Sequence, residues 1–169
     1  VHLVLGALPD AQHRRPMIGG ALVIGIGNDV RGDDGVGLAV AVGIAERHHP
    51  GVEVLSATCD PATILDAWTG LPLVVAVDAA SGPGAVPGRI GRWTPDGEQQ
   101  PSVLSSHSLG LQEVYALGQA LDRLPQRLVV FTVEIEGAGY GVQLTAPVAA
   151  AVSVAVEAVL AEIQTARMA

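Results

Sequence analysis

Two stretches of this chain, 21–26 and 73–77, are apolar from end to end, and a third, 128–135, nearly so. A strand with one face in water alternates polar and apolar side chains. These do not alternate, so both of their faces must be covered. The segments between them supply the cover. Val36, Val40 and Ile44 repeat with helical spacing, and His48-His49-Pro50-Gly51 ends that helix. Asp60-Pro61 is a helix start, an N-cap acid followed by proline at the first helical position, and the helix runs to about Trp68. Further helices are expected over 108–121 and from Thr145 onward, the last presenting Val148, Val152, Val156, Val159 and Ile163 on one side. Residues 52–56 complete the inner strands, and 89–94 read as a short edge strand. Residues 80–88 and 136–143 are loops rich in glycine, and 94–105 are polar and irregular.

Strands alternating with helices mean a mainly parallel sheet of about five strands with helices on both faces, a three-layer α/β/α sandwich. At 169 residues the chain suits one such domain. It is expected over 17–169, with 1–16 as a flexible extension. No apolar run in the sequence has the uninterrupted length of a membrane span, and the order of charges near the N-terminus is not that of a signal peptide. The expected compartment is the cytoplasm, with no membrane partner.

In open parallel sheets, ligands sit beyond the carboxyl ends of the strands. Three segments fall there: 28–37, 78–88 and the approach to His107. The first opens with Gly25-Ile-Gly27, as dinucleotide fingerprints do, but Val30 stands where a third glycine is needed. No acid for a ribose follows the second strand, in Leu55-Ser-Ala-Thr58, and no Gly-Lys-Ser/Thr occurs. What remains is a turn that delivers two adjacent acids, Asp33 and Asp34, to a helix start. One can cap the helix while the other faces the cleft. Asp78 ends an apolar strand, where a carboxylate is costly to bury unless paired or bound to a cation. His107 lies between serines that can cap the next helix, which leaves its imidazole free. Against these stand plainer roles: Asp33 as a cap, Asp78 bonded to the next turn, His107 in solvent.

Other candidates are weaker. His48 and His49 suit a solvated helix end, and Cys59 reads as a plain buried cysteine. Neither Gly-x-Ser-x-Gly nor His-Glu-x-x-His is present. Nine basic residues against seventeen acidic ones, with no Lys/Arg stripe, argue against a nucleic-acid partner. A single cysteine rules out a thiolate metal cluster built by this chain alone, so any metal ligands must be oxygen and nitrogen.

Taken in order, Gly25-Ile-Gly-Asn28 with Asp33-Asp-Gly-Val-Gly37, then Val77-Asp-Ala79, then His107-Ser-Leu-Gly110, resemble the hydrogenase maturation proteases over roughly 18–163. The resemblance implies a phosphorylase/hydrolase-like fold. It also implies an endopeptidase that removes a C-terminal extension from the large-subunit precursor of a nickel–iron hydrogenase once nickel is loaded. By motif alignment the metal ligands fall on Asp34, Asp78 and His107, with Asp34 and Asp78 as catalytic carboxylates and Asp33 as the weaker neighbour. Nickel would arrive with the substrate, whose thiolates complete its coordination. One departure stands out: the family's Asp-Gly-Gly-Thr turn is replaced by Ala57-Thr-Cys-Asp-Pro61, where Asp60 stands in as a substitute acid. Two rival readings remain at this level, a non-enzymatic nickel-sensing or docking module and a nucleotide-binding α/β domain.

Overall fold

The computed structural model describes residues 20–57, 60–97, 106–139, 141 and 143–168, without the side chains of 57 and 106–110. The expected extension 1–16 and Cys59 lie outside the described residues. The chain runs β1 (Ala21–Ile26), a 3-10 turn (Gly32–Gly35), α1 (Val36–Ala45), β2 (Val52–Ala57), α2 (Pro61–Trp68), β3 (Leu73–Ala80), β4 (Ile90–Trp93), α3 (Ser106–Ala120), β5 (Leu128–Glu134) and α4 (Ala146–Met168).

Five strands form one sheet in the order β2-β1-β3-β5-β4. The first four are parallel, and β4 joins the edge antiparallel to β5. The uninterrupted apolar strands are the inner ones. Every residue of β1, β3 and β5 is buried. Their pleat divides them into two cores. Val23, Val75, Val77, Phe131 and Val133 face α1 and α4, whereas Leu22, Ile24, Val74, Ala76 and Val130 face α2 and α3. This is the expected three-layer sandwich.

Local chemistry explains the element ends. Asp60 caps α2 by accepting from the Thr63 N–H at 3.0 Å, with Pro61 in the first turn. The short Thr63 hydroxyl bond and that N–H hold the Asp60 carboxyl below the usual carboxylate range. Strand β3 continues two residues past Asp78, because Ala79 and Ala80 pair with Val133 and Glu134. By length and composition α4 could cross a membrane, contrary to the reading of its sequence. It is a core helix here: Val148, Ala155, Val156, Val159 and Ile163 are buried against the sheet.

Two glycines bring the 3-10 turn down onto the strand ends. A Cβ on Gly37 would collide with the carbonyl oxygens of Ile26 and Val77, and one on Gly27 with that of Asp34. Only glycine allows backbone to approach so closely. The start of α1 therefore rests directly on the carboxyl ends of β1 and β3.

Candidate active site

The turn between β1 and α1 carries Asp33 and Asp34, which are 6% and 2% exposed, and it packs against β3. On β3, Asp78 is 1% exposed. It shares the pleat of Val74 and Ala76, so its side chain leaves the sheet on the α2/α3 side. Its Oδ1 accepts from the Ala79 N–H at 2.8 Å. Both Asp34 and Asp78 have further polar or electrostatic interactions. Two buried carboxylates thus sit at the carboxyl ends of adjacent strands, the position that parallel sheets reserve for ligands.

His107 falls in the first turn of α3, which starts two residues earlier than its sequence suggests. Helix α3 covers the α2/α3 face through Leu111 and Val114 and leads back to the amino end of β5. About 22 Å of helix separates its two ends. Its first turn therefore lies at the same end of the sheet as Asp78, and on the same face. The imidazole itself is outside the described residues, and among the described residues no three His, Cys, Asp or Glu side chains are grouped to hold a metal ion.

The expectation that Asp33 or Asp34 caps α1 is not met. Neither the 3-10 turn, capped by Arg31, nor α1, capped by Gly35, has a side-chain cap bond. Asp33 is turned instead to the start of α4, where its carboxylate accepts from the Thr145 N–H at 2.6 Å and the Thr145 hydroxyl at 2.8 Å. Asp60 is committed to Thr63. His48 and His49 lie at the far end of α1, away from the site, with His48 Nδ1 2.7 Å from the Glu46 carbonyl.

Sequence reasoning passed over Glu134. It ends β5, two rungs beyond the level of Asp78 on the neighbouring strand, and it is 8% exposed on the same sheet face. The Val86 N–H and Arg89 Nε each donate to it at 2.7 Å. Backbone bonds to Gly88 and Arg89 complete a staple on the glycine- and proline-rich loop that borders the site. The signal that singled out Asp78, an acid following an apolar run, would have found it. Burial pushes the Glu134 carboxyl upward, but the Arg89 guanidinium and the Val86 N–H outweigh burial, and its pKa lies below the ordinary 4.5. A group whose folded pKa is depressed stabilises fully above its unfolded value and loses that contribution as pH falls through the folded one. Protection of the Val86 amide, its exchange rate relative to an unstructured amide at the same pH, is thus expected to hold from neutrality to about pH 4.5 and to weaken only below it. Glu134→Ala, which removes both acceptor oxygens, should lack that protection already at neutral pH.

A family model described as hydrogenase maturation protease matches residues 40–162, which include Asp78 and His107. The chain belongs to that family, a group of hydrolases acting as proteases. Three solved structures carry the same fold. The hydrogenase maturating endopeptidase HybD from E. coli is 23% identical, with 86% of this chain and 93% of that one covered and a TM-score of 0.76. The [NiFe] hydrogenase maturation protease HybD from Thermococcus kodakarensis is 25% identical, over 85% and 99% of the two chains, with a TM-score of 0.70. HycI from Thermococcus kodakarensis KOD1, also a [NiFe] hydrogenase maturation protease, is 24% identical over 86% and 92%, with a TM-score of 0.62. No curated protein matches the chain.

Proposed function

We propose that this protease cuts a C-terminal extension from the nickel-loaded large-subunit precursor of a nickel–iron hydrogenase, and that Asp34, Asp78 and His107 recognise the nickel. The observation that carries this reading is the pair of buried carboxylates, Asp34 and Asp78, at the carboxyl ends of β1 and β3. A cation relieves the cost of burying such charges. Carboxylate and imidazole suit nickel as ligands. The chain has one cysteine, so sulfur ligands must come chiefly from the precursor. The enzyme then supplies part of a coordination shell and inspects whether the metal is already in place.

Nickel held by the precursor would lie against Asp34, Asp78 and His107, where it would either polarise the scissile carbonyl or serve recognition alone. The carboxylates of Asp34 and Asp78 complete the site, and one of them takes a proton from the attacking water. The C–O bond forms, the peptide C–N bond breaks, and that proton passes to the departing amine. On this reading the reaction takes place in the cytoplasm, before the precursor is fully assembled.

Purified protein incubated with purified precursor is expected to release the mature subunit and a free C-terminal peptide, read by mass spectrometry. Binding without a fragment would favour a docking module instead. The isolated protein should hold nickel weakly. Stoichiometric nickel in protein purified without added metal would contradict a site completed by the partner.

A further inference from the structure

The turn that carries Asp34 is held more tightly from outside than from within. Its own backbone bonds are long: Arg31 N–H to Asn28 O is 3.2 Å, Asp34 N–H to Arg31 O is 3.3 Å, and Asn28 N–H to Asp34 O is 3.4 Å. The bonds reaching it from the β5–α4 connection are shorter, 2.6 and 2.8 Å from Thr145 to the two oxygens of Asp33. That connection wraps the turn. Arg31 and Gly141 form a parallel bridge, the Gly32 N–H donates to Gly141 O, and the carbonyls of Gly139, Gly141 and Gln143 surround Gly32. Successive side chains of a 3-10 turn point about 120° apart. Pinning Asp33 toward Thr145 therefore sets the roll of the turn, and with it the direction in which Asp34 leaves.

We propose that Asp33 is a positioning residue: tied to Thr145, it aims the Asp34 carboxylate and itself takes neither metal nor peptide. The proposal rests on the functional reading of Asp34 above. Groups that orient a ligand from behind are commonly worth 10- to 100-fold in activity. The distance in sequence, 112 residues, makes this a coupling between two loops that only the fold brings together.

The test uses the whole protein with nickel-loaded precursor, and compares Asp33→Ala, Thr145→Val, Thr145→Ser and the Asp33→Ala/Thr145→Val double variant. Asp33→Ala should lower kcat by about 10- to 100-fold with KM nearly unchanged, and Thr145→Val, which removes the hydroxyl bond but leaves the N–H bond, should lower it measurably but less. Thr145→Ser, which keeps the hydroxyl, should restore activity. The double variant should be no worse than Asp33→Ala, because both substitutions act through one tether. Three results would overturn the proposal: wild-type kcat in Asp33→Ala despite a lower Tm, a rise in KM alone, or a loss in Asp33→Ala as complete as that of Asp78→Asn, which would make Asp33 part of the reacting site itself. A wild-type protein that fails to cut the precursor would count against the functional reading instead. The tether is then decided by crystal structures of wild type and Asp33→Ala. Displacement of the Asp34 carboxylate by about 1 Å, enough to cost activity on the order of 100-fold, supports it, and an unmoved carboxylate refutes it.

Discussion

Asp78→Asn should abolish release of the C-terminal peptide from nickel-loaded precursor, with a fall of about three orders of magnitude in kcat. Asparagine has the same shape and keeps an oxygen for the Ala79 N–H, which now bonds Asp78 Oδ1 at 2.8 Å. What it removes is the charge. A neutral amide is a poor ligand for a divalent ion and no base for water. The fold should survive, since replacing a buried charge by a neutral group of equal volume relieves desolvation. Unchanged thermal unfolding together with lost cleavage is therefore the expected pairing. His107→Ala should lose activity in the same assay. Full activity in both variants would mean that the reaction takes place elsewhere.

The second large effect concerns stability. Gly37→Ala should cost about 3 kcal/mol, the upper part of the usual range for overpacking. The added methyl meets the carbonyl oxygens of Ile26 and Val77, both backbone atoms of central strands that cannot turn aside. The start of α1 must lift from the sheet, and the turn that carries Asp34 with it. For a chain of this size the melting temperature should fall by roughly 6–12 °C. Cleavage should weaken even in the fraction that stays folded. An alanine variant as stable and as active as wild type would show that α1 does not need this close approach.

Much of the architecture is legible in the residues. Unbroken apolar runs identified β1 and β3 as doubly covered strands, and Asp60-Pro61 marked the start of α2 to the residue. The carboxyl-end rule puts Asp34, Asp78 and the approach to His107 in one region from the sequence alone. What could not be read is long-range. Asp33 looked like a cap because local helix chemistry offers an adjacent acid that role. Its partner, Thr145, immediately precedes a helix at the other end of the chain. Glu134 is tied to a loop 45 residues away through Arg89, and no spacing rule links them. Helix α4 shows the same limit differently. Its composition fits a membrane as well as a core, and only its packing on β3, β5 and α1 decides between them.

The central claim is that a carboxylate site at the strand ends cuts only what already carries nickel. The direct measurement is cleavage of purified precursor by purified protein, with nickel loaded and with nickel withheld. The mature subunit and free peptide are predicted from the loaded precursor alone, and adding nickel to the protein without loading the precursor should not substitute. Equal cleavage of the metal-free precursor, or none of the loaded one, would contradict the account.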